Sequence, residues 1–187
     1  MREDHMETTE LELAAEQQYL TYFLADEEYG INIKKVKEII EYTAITKVPK
    51  VPRWIRGVIN LRGNVVPVVD LAVRFGLEER PITKTTCIII VEVQQEAEKA
   101  VMGLIADAVN QVIGLRAEEI EQPPAFGTRI RLEYLAGMGK LGKKFALILN
   151  IDRVLSASEL LTVSEVKNEL ESTETDHVNE AAVTPEV

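Results

Sequence analysis

Apolar residues recur along this chain in short runs, not at helical intervals. The segments 19–24, 58–61, 65–69 and 87–93 are aromatic, aliphatic or β-branched and are bounded by turn or polar residues, which predicts short strands. Asp26-Glu27-Glu28 follows the first run as a turn-like acidic cluster before Tyr29-Gly30, and Gly63-Asn64 lies between the second and third as a hairpin tip. Pro67 sits inside the third run. A proline cannot donate to a ladder, so its strand is expected at an edge or with a bulge there. Closely spaced strands without a long βαβ crossover predict barrels or a sandwich. The period changes only near the end. Ser156 stands three residues before Glu159, a capping-box spacing, and Leu160, Leu161, Val163, Val166 and Leu170 follow at helical intervals. That pattern predicts a short amphipathic helix over 157–170.

The apolar pattern also repeats. Residues 30–40 lie over 103–113 at an offset of 73, glycine on glycine, with apolar residues coinciding at 31/104, 33/106, 36/109, 39/112 and 40/113. At an offset of 80, Arg53-Trp54-Ile55-Arg56-Gly57 lies over Glu133-Tyr134-Leu135-Ala136-Gly137, and 65–71 lies over 145–151. Each copy of the last block ends in a capping type, Asp70 or Asn150, before a short helical stretch. Val48-Pro49 and Pro123-Pro124 occupy corresponding loops. Duplication predicts a pseudo-symmetric pair of small barrels. Each is too small for a generous core, so the two should pack together and leave a groove between them.

Charge separates a body from two tails. The chain carries a formal charge of -10, yet residues 1–16 hold one base against six acids and residues 157–187 one base against eight, which leaves 17–156 at +2. A near-neutral body has no basic footprint for nucleic acid, and acidic tails are repelled by phosphate. Both tails are expected to be solvated and flexible. With 46% hydrophobic residues the body has material for a packed interior. No apolar run approaches the roughly 20 residues of a membrane span, and the amino terminus lacks the layout of a secretory signal. The lone Cys87 agrees with a reducing cytoplasm.

Candidate chemistry is sparse. His5 and His177 both fall in the tails, so the body has no histidine to serve as general base or metal ligand. Cys87, within an apolar run, reads as a buried small hydrophobe. No phosphate-cradling glycine motif is present. The distinctive feature is asymmetry between the copies. Arg62, just before Gly63, faces Gly142 in the second copy, and Glu38 faces Gln111. Glu38 and Arg62 are expected to pair across neighbouring strands and to help fix a recognition surface.

These residues carry a family resemblance. Glu28-Tyr29-Gly30-Ile31, the 36–40 block, and Gly57-Val58-Ile59-Asn60-Leu61-Arg62-Gly63 followed by Val66-Pro67-Val68-Val69-Asp70-Leu71 resemble CheW, a family of chemotaxis coupling proteins. Gly103-Leu104-Ile105-Ala106-Asp107, Val109 and 134–139 extend the likeness, which covers 18–155 and is looser in its second half. The resemblance implies an all-β fold of two pseudo-symmetric five-stranded SH3-like barrels, packed together and intertwined over 17–156. Short helices, a C-terminal helix and acidic tails at 1–16 and 157–187 complete the expected chain. It implies a cytoplasmic, non-enzymatic adaptor without cofactor, associated with membrane-bound receptor arrays. The adaptor would couple the cytoplasmic hairpins of chemoreceptors to the regulatory domain of the histidine kinase CheA. The implied receptor groove takes Leu20, Ile33, Val36 and Ile39 from the first barrel and Val109 from the second, with ordinary core as the alternative for each. Glu38, Gly57 and Arg62 match sensitive positions of the family, with contact to receptor, to kinase or to neither left open for each. Kinase contact through a barrel edge fits pairing at an edge strand. The long acidic tail at 157–187 departs from the shorter family pattern.

Three rivals stand beside this reading. The regulatory domain of CheA has the same fold, but the chain has neither a phosphotransfer histidine in a helical context nor an ATP-binding region. A CheV-type protein would append a receiver domain, for which 157–187 is too short. An oligonucleotide-binding barrel wants a basic, aromatic-studded face.

Overall fold

In the computed structural model, residues 16–95, 98–125 and 130–154 are described. The expected helix over 157–170 and nearly all of both acidic tails lie outside them. Eleven strands follow in chain order: β1 (Gln17–Leu24), β2 (Glu27–Asn32), β3 (Val36–Glu41), β4 (Ile55–Leu61), β5 (Asn64–Asp70) and β6 (Cys87–Gln95). They continue as β7 (Glu98–Ala106), β8 (Ala108–Leu115), β9 (Ile120–Glu121), β10 (Leu135–Leu141) and β11 (Lys144–Leu149). The short helices α1 (Leu71–Arg74) and α2 (Ile151–Val154) follow β5 and β11.

The strands form two mixed sheets. One is ordered β3-β6-β7-β5-β4, the other β8-β1-β2-β11-β10-β9. The orders superpose strand for strand, with the two-residue β9 matched by an isolated bridge between Thr46 and Val58. Register repeats as well. In the parallel pairs Val68 faces Gly103 and Ile148 faces Gly30, positions that the two sequence offsets bring together. Register shifts fall between Ile55 and Gly57 in one copy and between Leu135 and Gly137 in the other. The Asp70 amide donates to the Trp54 carbonyl as the Asn150 amide donates to that of Tyr134, each at 2.8 Å. The expected duplication is therefore present in hydrogen bonding as well as in sequence.

The copies exchange strands. Barrel one is built from consecutive strands, β3 to β7, whereas barrel two takes β8 to β11 and is completed by β1 and β2 from the other end of the chain. This corrects the placement of Leu20: it lies on β1 and so belongs to the sheet of Val109.

Alternation explains the unbroken apolar run of β6. Ile88 and Ile90 point into barrel one with Ile59, Val66, Val68 and Ile105. Ile89 and Val91 point the other way, into a larger cluster shared with Leu20, Tyr22, Tyr29 and Ile31 of barrel two. A strand buried on both faces needs no polar positions. Each such Ile or Val is worth roughly 1.5–3 kcal/mol relative to exposure. Cys87 belongs to this shared cluster, and burial pushes its thiol up from the ordinary range.

The expectation for Pro67 is corrected too. β5 lies inside the sheet, between β7 and β4, and its ladder to β7 begins only at Val68. The missing donor therefore costs that ladder nothing, and the nearby irregularity lies in β4, between Ile55 and Gly57.

Barrel one closes where Thr46 and Val58 exchange two backbone hydrogen bonds of 2.9 Å. Gly57 permits that closure. Its φ is +139°, and a Cβ there would lie 2.0 Å from the Thr46 carbonyl oxygen. Gly63, at φ +85°, has open space around it. Gly57→Ala should therefore destabilise the chain by about 3 kcal/mol or more, against about 1–2 kcal/mol for Gly63→Ala. Urea unfolding of the two variants measures the difference; equal losses would remove the closure argument.

Candidate functional site

β3 presents different chemistry on its two faces. Directly paired residues share a face of a sheet, and β3 pairs Val36 with Val91, Glu38 with Ile90, Ile39 with Ile89 and Ile40 with Ile88, with a bulge between Val36 and Glu38. Glu38 and Ile40 thus lie on the side that faces the interior of barrel one, whereas Val36 and Ile39 lie on the side of the shared core.

On the first side, Glu38 receives Arg62 in a fork of two hydrogen bonds, Nη1 to Oε1 and Nη2 to Oε2, each 2.8 Å. The pair was expected across neighbouring strands. It instead joins opposite edges of the sheet, since β3 and β4 are the terminal strands and Arg62 opens the β4–β5 turn. Arg62 has φ +53° and Gly63 φ +85°, both positive as a type I′ hairpin requires. The Gly63 amide is held by Asn60 Oδ1 at 2.8 Å. A left-handed arginine costs roughly 1–2 kcal/mol, so the geometry that aims Arg62 at Glu38 is itself strained. The second copy turns on Gly142 at φ +61°, without that strain.

The bulge residue Lys37 is anchored separately. It meets Glu92 Oε2 at 2.8 Å while Lys99 meets Oε1 at 2.9 Å, an ion-pair ladder across β3, β6 and β7. The two lysines hydrogen-bonded to Glu92 hold its carboxyl down at about 2. Asp70 is the opposite case: burial raises its carboxyl, against the Val73 amide at 3.1 Å that it caps on α1.

On the second side, the apolar candidates form steps. Leu20 is 3% exposed and lies within the shared core. Ile33, Val36 and Val109 are partly buried and pack against that same cluster. Ile39 stands clear of it at 44% exposure. The structure thus brings four of the five candidates to one apolar cluster and leaves the fifth at its outer rim. Val112 is a sixth member that sequence reasoning passed over. It is the repeat partner of Ile39, pairs with Leu20 and is 50% exposed. The 39/112 coincidence was its signal. A bulge in β8 beside it is held by the buried Thr21 hydroxyl, which donates to the Gln111 carbonyl at 3.1 Å and accepts from the Gln111 amide at 3.3 Å.

A half-open hollow of about 320 Å³ is lined by Tyr19, Ile31, Lys34, Asn150 and Asp152, among others, and contains none of the eight candidate residues. An exposed apolar edge that continues a packed core suits a macromolecular partner better than a small ligand. Among the described residues no group of His, Cys, Asp or Glu is placed to hold a metal ion.

Two outcomes follow from the electrostatics. A double-mutant cycle on Glu38→Ala and Arg62→Ala should give a coupling on unfolding of no more than about 1 kcal/mol, because Arg62 is 75% exposed. A value of several kcal/mol would make the pair a structural lock. For Glu92, a carboxyl lowered in the fold contributes stability that is full above its ordinary value of 4.5 and lost as pH falls toward 2. A carbon-detected titration should find its midpoint near 2, and Lys37→Met with Lys99→Met should return it toward 4.5.

Comparisons with known proteins agree with this architecture. A family profile described as the CheW-like domain matches residues 18–159. The chemotaxis protein CheW of Klebsiella aerogenes is 37% identical over 150 residues, which is 80% of this chain and 88% of that protein. CheW of Treponema pallidum is 32% identical over 76% of this chain and 84% of its own. Among solved structures, the scaffolding protein TtCheW from Thermoanaerobacter tengcongensis matches with a TM-score of 0.69 and 38% identity, covering 78% of this chain and 93% of that one. With the match spanning nearly the whole described body, the chain belongs to the CheW family of chemotaxis proteins.

Proposed function

We propose that this chain is a non-catalytic adaptor that couples chemoreceptors to the kinase CheA, with separate faces for the two partners. One observation carries the reading: β3 turns Val36 and Ile39 toward the shared-core side and Glu38 with Arg62 toward the other. The receptor's cytoplasmic helical hairpin takes the apolar steps Ile33, Val36, Ile39, Val109 and Val112, with Leu20 behind them as their packed support. A helical partner anchors through apolar side chains at regular spacing, and half-exposed Ile and Val at sheet edges offer that kind of seat. The kinase's regulatory domain, itself a barrel in this family, pairs at an exposed strand edge, with the Glu38–Arg62 fork fixing its register. Gly57 acts through the barrel closure and not by contact.

The chain would work in the cytoplasm at membrane-bound receptor arrays. No helix among the described residues is long and apolar enough to cross a membrane, and attachment through the receptor needs none. No nucleic acid enters the scheme.

Pull-down with receptor cytoplasmic fragments and with CheA tests the proposal. Ile39→Lys should weaken receptor binding tenfold or more, roughly the 1.4 kcal/mol or above of a contributing anchor. Kinase binding and the unfolding midpoint should stay unchanged, because Ile39 supports no core. Binding of the wild-type chain to neither partner, or an Ile39→Lys variant that binds receptor normally, would overturn it.

A further inference from the structure

The internal repeat sets a covered pocket in barrel one beside an open one in barrel two. In barrel two, the parallel strands β2 and β11 pair at Tyr29 with Leu147 and at Gly30 with Ile148, and there the ladder ends. The half-open hollow of about 320 Å³ is lined by the next residues, Ile31 and Asn32 on one side and Leu149 and Asn150 on the other. In barrel one the equivalent strands β7 and β5 stay paired two residues further, Leu104 with Val69 and Ile105 with Asp70. The void left there is only about 10 Å³. The two sites correspond residue by residue. Asn150, Asp152 and Ala136 line the hollow where Asp70, Ala72 and Arg56 line the void, at the offset of 80. Asn32 and Lys34 take the places of Ile105 and Asp107, at the offset of 73. What barrel one adds is a strap, Arg80-Pro81-Ile82, which lines its void and has no counterpart among the described residues lining the hollow.

The attachments of the strap show what such a pocket holds. Gly76, at φ +78°, turns the chain back after α1. Its amide donates to the Val73 carbonyl at 3.0 Å, and that of Leu77 donates to the Ala72 carbonyl at 2.9 Å. Glu79 then meets Arg56 Nη2 at 2.5 Å, and Arg80 Nε meets Asp107 Oδ2 at 3.5 Å. Barrel two has neither anchor. Ala136 stands in the place of Arg56, which leaves room, and Lys34 stands in the place of Asp107, which reverses the charge. Lys34 is exposed and makes no ion pair among the described residues. Its neighbour Lys35 is already matched by Asp152 at 2.7 Å. The sequence beyond α2 also lacks the returning glycine. Ser156 stands in the place of Gly76 and opens the capping-box pattern, which predicts a helix and not an extended strap.

We propose that the hollow beside β2 and β11 receives an extended segment of a partner protein in which a carboxylate precedes one or two apolar residues. Such a segment is the charge-reversed counterpart of Arg80-Pro81-Ile82. Its carboxylate faces Lys34 as Arg80 faces Asp107 in barrel one, and its apolar residues lie over the floor of Ile31, Ile148 and Ile151. The hollow is at the lower end of the range of roughly 300–1,000 Å³ that holds a ligand, so it seats a few residues and not a folded domain. An exposed ion pair adds little affinity, so Lys34 selects the sign of the incoming charge more than it holds the segment. This inference does not rest on the receptor and kinase assignment.

The test is methyl NMR of the full chain titrated with two blocked peptides that differ at one position, one carrying Glu-Pro-Ile and the other Lys-Pro-Ile. The proposal expects the acidic peptide to move the methyls of Ile31, Ile148 and Ile151. It should bind about fivefold tighter than the basic one, the upper range of an exposed ion pair. Lys34→Glu should reverse that order, and unchanged signals from Ile88 and Ile90 of β6 confirm the fold. Hollow methyls that stay still with both peptides overturn the proposal. So does equal affinity for the two peptides, or a preference that survives Lys34→Glu. Hollow methyls that move in the free chain on Leu160→Ala with Leu161→Ala would seat the chain's own segment there, and they overturn it as well.

Discussion

Everything in this molecule depends on strands that must be buried on both faces. β6 supplies Ile88 and Ile90 to the inside of barrel one and Ile89 and Val91 to the outside. Only a second barrel can cover that outer face, and β1 does so with Leu20 and Tyr22. Neither barrel owns a core sufficient for itself. The interior clusters of the single barrels are small, and the larger apolar cluster belongs to both. Strand exchange ties the arrangement further, because barrel two is unfinished without the first two strands of the chain.

That constraint also creates the proposed recognition surface. A shared core between two curved sheets has a rim, and the terminal strands β3 and β8 run along it. Val36 and Val109 pack against that core, and Ile39 and Val112, farther along the same two strands, stand exposed beyond it. Pleating then places unlike chemistry one residue away. Glu38 is adjacent to Ile39 in sequence yet faces the opposite side and the fork with Arg62. A single edge strand can in this way contribute to two surfaces, the local requirement for an adaptor.

Much of this was legible in the residues, and the failures share a cause. The duplication could be read because it is local within each block: Gly57 and Gly137 sit at equivalent register shifts, and Asp70 and Asn150 at equivalent strand ends. The Glu38–Arg62 pair was visible as an asymmetry between copies. What was misjudged is long-range pairing. The resemblance groups Leu20 with the groove residues of barrel one, whereas β1 crosses to barrel two. Pro67 suggested an edge because the rule against interior proline ignores where a second ladder starts. The charged pair was imagined between neighbouring strands because barrel closure, which brings terminal strands together, leaves no periodic trace. Val112 was overlooked although its repeat partner was chosen, because periodicity marks apolar positions without saying which of them stay exposed.

The central claim is that the apolar steps at the rim of the shared core, and not the charged side of β3, receive the receptor. Methyl NMR of the full chain titrated with a receptor cytoplasmic hairpin fragment addresses it most directly. The account predicts shifts concentrated at Ile33, Val36, Ile39, Val109 and Val112, with the methyls inside barrel one, Ile88 and Val66 among them, unmoved. Shifts centred on the Glu38–Arg62 side, with Ile39 and Val112 silent, would contradict it.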